Sequence, residues 1–264
     1  MSFDPAASAA ALLAARRDRQ PAGPLPPGLA PADLAQAAQV QRELARQSGA
    51  LPPGGFKIGA TGTRMQRLLG LDGPVAGFMA ARDIHHGQAH FRLADCRDLA
   101  LECELAVTLG SDLPPGPCSE AQAAAAVATL HAAVEVVENR YGPPPIGDLK
   151  AVGTPTLVAD QVYHVACVLG AGLADWRRLD LPGLLGQLHL DGALRDQGFG
   201  RELLGHPLRG LAWLAGSEVA AAFGGLQRGM VVMLGSVIPS VWPAGPCAVQ
   251  ASFAGLAPVR LTLA

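Results

Sequence analysis

Two acidic residues two positions apart, Glu102 and Glu104, stand in the otherwise apolar run Leu101-Glu102-Cys103-Glu104-Leu105-Ala106-Val107. On a β-strand they share one face and Cys103 takes the other. Two like charges side by side on a half-buried strand repel and lose hydration, and a cation between them relieves both problems. The pair therefore reads as part of a divalent-metal site, against the plainer reading of a solvent-facing pair on an edge strand. The stretch Val134-Glu135-Val136-Val137-Glu138-Asn139-Arg140 is rich enough in β-branched residues to be a second strand. Glu135, lying among valines, is the natural third ligand. Glu138 competes, because a one-residue shift of register exchanges their faces, and either acid could instead face solvent or pair with Arg140.

A group able to move protons is the next requirement. Lys57 lies in Gly55-Phe56-Lys57-Ile58-Gly59, a short predicted strand at Phe56-Lys57-Ile58 flanked by glycines that let a substrate approach the backbone. The alternative is a lysine whose stem packs while its amine reaches water. His85, His86 and His90 have no partner at metal-ligand spacing and read as surface residues. Asp160 is an isolated acid in an apolar run.

The elements that must position these groups follow from patterning. Residues 5 to 18 are Ala/Leu-rich and run into Arg16-Arg17-Asp18-Arg19, a helix with cations in its last turn. Gln20 to Pro31 holds five prolines and two glycines and is a connector. Asp33 caps a second predicted helix that exits at Gly49. Met65 to Leu71 is a third, and Gly73-Pro74-Val75-Ala76-Gly77 is a predicted turn. Ser119 caps an alanine-rich helix to about Ala133. Pro143-Pro144-Pro145 is a stiff loop. Thr156 to Asp160, Val162 to Leu169, Met230 to Ser236, Val249 to Phe253 and Val259 to Leu263 read as strands. Leu179 to Gly200 reads as a β-meander turning at Asp191-Gly192, and Pro207 to Phe223 as a helix. The simplest account is one α+β domain over residues 1–264, helical over 1–50 and β-rich over 51–264.

Composition narrows the function classes. Half of the 264 residues are hydrophobic, 16% are charged, and the formal net charge is −2. With no basic stripe interleaved with aromatics, no nucleic-acid partner is expected. The five cysteines include no CxxC pair, so reduced thiols in a cytoplasmic protein are expected rather than a disulfide framework or zinc site. The apolar N-terminal run has its basic residues after it, the reverse of a secretory signal, and no uninterrupted apolar stretch of about 18 residues predicts a membrane span. Apolar Ala/Leu faces suggest self-association into a homo-oligomer.

Taken in order, these segments resemble the hydratase/decarboxylase branch of the fumarylacetoacetate hydrolase superfamily, the branch of 2-keto-4-pentenoate hydratase and 4-oxalocrotonate decarboxylase. The resemblance runs from Ala15-Arg16-Arg17 and Gly55-Phe56-Lys57-Ile58-Gly59 through Met65-Gln66, Glu102-Cys103-Glu104 and Glu135 to Arg140. It continues in Ala159-Asp160, Gly205-His206-Pro207, Ala212-Trp213-Leu214-Ala215 and Gly235-Ser236. It implies a mixed β-roll or sandwich behind an N-terminal helical part, with Mg²⁺ or Mn²⁺ on Glu102, Glu104 and Glu135. It further implies a metal-dependent lyase, hydrating or decarboxylating a short 2-oxo or 2-hydroxydienoic acid in aromatic catabolism. Lys57 matches the family's active-site lysine; Gly59, Thr61 and Ser236 would hydrogen-bond the substrate carboxylate, and Arg140 and Asp160 would hold the walls of the site. The chain departs from the pattern where Pro74-Val75-Ala76-Gly77 replaces a segment carrying an acid in hydratases, where Gln161 follows Ala159-Asp160, and at Gly245-Pro246. A C–C bond hydrolase of acylpyruvate type, and a non-catalytic scaffold retaining the fold, are the other readings.

Overall fold

The Glu102/Glu104 run is the middle of an eleven-residue strand, and the chain before it supplies the helices and strands that pack around it. The computed structural model describes residues 3–18, 23–142 and 149–264. The predicted triproline loop at Pro143-Pro144-Pro145, and Arg19 to Ala22 of the first helix end and connector, lie outside the described residues. Helices α1 (Pro5–Asp18) and α2 (Leu34–Gln47) come first. Asp33 caps α2 by accepting from the Gln36 amide, as its position predicts. There follow β1 (Gly55–Gly59), α3 (Thr63–Leu69), β2 (Val75–Met79), β3 (Ile84–His86), β4 (Gln88–Phe91) and β5 (Leu99–Leu109). Next are α4 (Glu120–Ala126), β6 (Val127–Glu138), α5 (Leu149–Val152), α6 (Thr154–Ala159) and β7 (His164–Leu169). The chain ends with β8 (Leu185–Leu190), β9 (Ala193–Phe199), α7 (Pro207–Ala215), α8 (Glu218–Ala222), β10 (Val231–Ser236), β11 (Cys247–Phe253) and β12 (Val259–Leu263).

Two sheets result, a seven-stranded one in the order β2-β1-β10-β5-β6-β7-β3 and a five-stranded one in the order β4-β12-β11-β8-β9. This is the mixed α+β architecture that the resemblance implies. Alternation along β5 sends Leu101, Cys103, Leu105 and Val107 into the main core. The other face carries Glu102 and Glu104, and beyond them Ala106 joins Met79, Ala133, Cys167, Leu169, Val231 and Met233 in a small second apolar cluster. The carboxylates thus border a buried apolar patch on their own face of the sheet. No described helix is long and apolar enough to cross a membrane.

Several predicted elements take a different form. The helix from Ser119 stops at Ala126, and Val127 to Ala133 belong to β6, paired along β5. Alanine is compatible with either state, so the β-branched residues Val127 and Thr129 and a long partner strand outweigh helix propensity here. Ser119 does form a capping box with Gln122. Of the predicted turn at Gly73 to Gly77, Gly73-Pro74 precede the strand and Val75 to Gly77 are already the start of β2, antiparallel to β1 with Gly77 opposite Lys57 and Val75 opposite Gly59. Thr156 to Ala159 are helical rather than extended, with Pro155 in the first turn of α6. Pro207 to Phe223 is broken into α7 and α8 at Gly216-Ser217, where Ser217 caps the second helix. The meander is a single hairpin, β8 to β9, turning at Asp191-Gly192 with both residues at positive φ (50° and 79°).

Candidate metal centre

Strand pairing assembles the acids. In the β5–β6 ladder Glu102 is directly opposite Glu135, and Glu104 lies one pleat further along the same face. One carboxylate oxygen from each lies within 4.8 Å of the others. Glu138, the competing choice, is used elsewhere: it accepts from the Arg97 amide (2.7 Å) and lies 3.6 Å from the Arg140 guanidinium.

Glu104 and Glu135 each keep one oxygen unpartnered while the other is committed. Glu104 Oε2 accepts from the Gly235 amide (3.0 Å), and Glu104 Oε1 is buried with no hydrogen-bond partner. Glu135 Oε1 accepts from His164 Nδ1 (2.8 Å), while its Oε2 is likewise buried and unpartnered. Because an ionised carboxylate only accepts, the hydrogen sits on His164 Nδ1. Glu102 Oε1 takes the Ser240 hydroxyl. Burial, then the charge of Glu135, raises Glu102 above the ordinary carboxylate range, and burial followed by the charges of Glu135 and Glu102 takes Glu104 well above it. Burial pushes Glu135 the same way, but Lys57 and His164 outweigh it and the carboxyl ends below its usual range. Three carboxylates that bring oxygens within 4.8 Å of one another, two of them with an orphaned buried oxygen, fit a hard divalent cation, which takes oxygen ligands at about 2.0–2.6 Å. The cluster is also the arrangement in which an unneutralised site is most unfavourable.

Lys57 is 2% exposed, so its amine does not reach water. Nζ donates to the Val162 carbonyl (2.7 Å) and stands 3.5 Å from Glu135 Oε1. The flanking glycines have defined tasks. A Cβ on Gly55 would fall 1.8 Å from the Val231 carbonyl oxygen of β10. A Cβ on Gly59 would stand 3.5 Å from Val162 Cγ1, 3.6 Å from Val75 Cγ2 and 3.7 Å from Lys57 Nζ, so these groups converge over the bare Gly59 backbone.

The remaining expected residues border this centre in different ways. Thr61 is buried, and a Cβ on Gly235 would press on its hydroxyl and methyl groups at 2.8 and 2.7 Å. Gly235 has φ 110° inside an irregularity of the β10–β5 pairing, and this is what turns its amide onto Glu104. Ser236 pairs with Glu104 and turns its hydroxyl toward the Ile238 carbonyl (2.7 Å). Asp160 is buried between Arg140 Nε (2.9 Å), the Tyr141 hydroxyl (2.7 Å) and Arg16 Nε (2.8 Å). Sequence reasoning overlooked His164, Arg16 and Ser240. His164 had a signal, a histidine at the head of an apolar strand run. Arg16 was read as a helix-end cation, and nothing local marks Ser240.

No protein-family model matches the chain. It is 32% identical over 224 residues to a 2-keto-4-pentenoate hydratase from Burkholderia vietnamiensis, an alignment covering 85% of this chain and 82% of that one. It is 27% identical over 190 residues to a 4-oxalocrotonate decarboxylase from Pseudomonas putida, covering 71% and 68%. Among solved structures, 4-oxalocrotonate decarboxylase from Pseudomonas putida G7, complexed with magnesium and adipate, is similar with a TM-score of 0.87 at 23% identity, over 98% of this chain and 97% of that one. That likeness is one of fold.

Proposed function

This chain belongs to the 2-keto-4-pentenoate hydratase family within the fumarylacetoacetate hydrolase superfamily, and from that premise we propose that it is a divalent-metal-dependent lyase that decarboxylates a short 2-oxo acid. Glu102, Glu104 and Glu135 are the assigned ligands of Mg²⁺ or Mn²⁺, supported by the convergence of their oxygens within 4.8 Å and by the orphaned oxygens of Glu104 and Glu135. A cation bound there supplies Lewis-acid stabilisation of the negative charge that develops on a 2-oxo acid as it becomes an enolate. Gly59 and Thr61 border the substrate's position and offer backbone and hydroxyl hydrogen bonds to its carboxylate; Ser236 joins them only by turning its hydroxyl away from the Ile238 carbonyl. Arg140 and Asp160 hold the wall behind Lys57. The departing carboxylate is a second one, in conjugation with the 2-oxo group: as its C–C bond breaks, CO₂ leaves, the electron pair passes to the 2-oxo oxygen as an enolate, and the Lys57 ammonium returns a proton to carbon.

The observation that carries the choice of reaction is the wall beside that ammonium. Val75 and Val162 bring methyl groups to Gly59, next to Lys57, and Val75 stands where the resemblance implies an acid in hydratases. Hydration needs a group to deprotonate the added water, whereas decarboxylation needs only an electron sink and a proton source. The same reading takes residues 1–264 as one catalytic unit, acting in the cytoplasm as a homo-oligomer on a small-molecule substrate in aromatic catabolism.

The test is to supply the Mg²⁺-loaded protein separately with 4-oxalocrotonate and with 2-hydroxypenta-2,4-dienoate. Release of CO₂ from the first, with the second unconsumed, is expected. Water addition to the dienoate overturns the decarboxylase assignment, and turnover of neither while Mn²⁺ binds leaves a metal-binding scaffold.

A further inference from the structure

The turn between α6 and β7 carries three consecutive residues in the left-handed region: Gln161 (φ 61°), Val162 (φ 50°, ψ 57°) and Tyr163 (φ 69°). None is glycine, and Val162 is β-branched, the side-chain type least suited to that conformation. Such strain persists only where the surroundings over-determine it. Arg16 reaches in from α1 with its whole guanidinium: Nε donates to Asp160 Oδ1 (2.8 Å), Nη1 to Gln161 Oε1 (2.8 Å) and Nη2 to the Asp160 carbonyl (3.1 Å). Gln161 Nε2 donates onward to the Phe78 carbonyl of β2 (2.6 Å). Gly77 makes room for the turn, since a Cβ there would lie 3.1 Å from the Gln161 carbonyl oxygen. Arg140 Nη2 holds the Asp160 carbonyl from the other side (2.9 Å).

What this scaffolding delivers is one backbone oxygen, the Val162 carbonyl, 2.7 Å from Lys57 Nζ. A lysine amine sits on a flexible stem and needs at least two fixed partners to hold one position. Glu135, at 3.5 Å, is a loose one. A right-handed or extended Val162 would direct its carbonyl elsewhere.

We propose that the left-handed turn Gln161–Tyr163, clamped by Arg16 of the N-terminal helix, positions the Lys57 amine for proton transfer. Arg16 and Gln161 are positioning residues that act through the Val162 carbonyl. The clamp is the means by which α1, which contributes no carboxylate to the metal cluster, takes part in the reaction. The inference rests on the role given above to Lys57. Beside the clamp lies a cavity of about 220 Å³, lined by Leu12, Ala15, Arg16 and Arg140 among others, large enough for a guanidinium ion.

The experiment compares Arg16→Ala, Gln161→Ala and Lys57→Ala in the metal-loaded enzyme, measuring kcat, KM and Mn²⁺ affinity. Arg16→Ala and Gln161→Ala should each lower kcat about tenfold, the scale expected of a displaced reacting group. KM and Mn²⁺ affinity should stay within twofold. Guanidinium chloride at non-denaturing concentration should restore kcat to Arg16→Ala but not to Gln161→Ala. Unchanged kcat in both variants, kcat lost in parallel with Mn²⁺ affinity, or no rescue of Arg16→Ala overturns the clamp. If Arg16→Ala does not fold, Gln161→Ala decides by its kcat and KM alone. Full activity in Lys57→Ala overturns instead the role of the lysine, so the two failures are separable.

Discussion

Glu102 and Glu135 face one another across the β5–β6 ladder as a directly opposed pair, although 33 positions separate them in the chain. Like charges in that relationship destabilise a sheet, so the pairing is a standing cost that only a cation or a proton removes. Glu104 increases the cost, and its own position shows how it is borne: one oxygen on the Gly235 amide and one with no partner.

Removing one of these charges should stabilise the protein without metal while abolishing the site. Glu104→Gln is expected to raise the melting temperature in EDTA by roughly 2–4 °C, corresponding to about 1 kcal/mol relieved. Saturating Mg²⁺ should raise the melting temperature of the unsubstituted protein and leave the variant unmoved. Differential scanning calorimetry with and without metal checks both outcomes.

Lys57 lies 3.5 Å from Glu135 Oε1, so under the proposed mechanism it both competes with a cation for Glu135 and serves the reaction. Lys57→Met retains the stem and removes the charge. It should lower kcat by about 10²–10⁴-fold, the range for loss of a general acid or base, while tightening Mn²⁺ binding. Electron paramagnetic resonance titration of Mn²⁺ beside steady-state kinetics reads the two effects separately.

His164 fixes which oxygen of Glu135 is left for a metal. His164→Leu should weaken Mn²⁺ binding by about 10–100-fold, as loss of a ligand's supporting hydrogen bond does. His164→Asn, whose amide can donate from near the Nδ1 position, should recover most of that loss in the same titration.

Asp160 makes the fold acid-sensitive. Burial alone would raise its carboxyl, but Arg140 and Arg16 outweigh that and hold it below the ordinary aspartate value. A carboxyl lowered in the folded state contributes stability that is fully present above its unfolded value, near 3.9, and is lost as pH falls through the folded one. The melting temperature should therefore drop below about pH 4. Asp160→Asn should destabilise the protein by about 3 kcal/mol at neutral pH, because it removes the carboxylate that Arg16 and Arg140 share and leaves Arg140 only the more distant Glu138, and should flatten the drop. Thermal melts from about pH 2 to about pH 7 compare the two.

Where local spacing carried the information, the sequence was a good guide. The two-residue interval of Glu102 and Glu104, the isolation of Glu135 among valines and the Asp33 and Ser119 caps all follow from periodicity and side-chain chemistry within a few residues. It misled where a residue type is tolerant. The alanines of 123–133 suit either helix or strand, and only β5 alongside turns their second half into β6. Val75 lies between glycines that look like a turn, yet it opens a strand in which Gly77 leaves room for the Gln161 backbone.

By itself, then, the chain determined the carboxylates, the lysine and the glycines that let backbones close on them, because these are demands each short segment makes on its own. Tertiary structure alone decided that Glu135 rather than Glu138 meets Glu102. It also decided that His164 and Ser240 each take one carboxylate oxygen, and that Arg16 reaches Asp160 and Gln161 across 144 and 145 positions. Register and long-range hydrogen bonds come from the packing of whole strands and helices, and no local pattern encodes which distant partner a side chain will find.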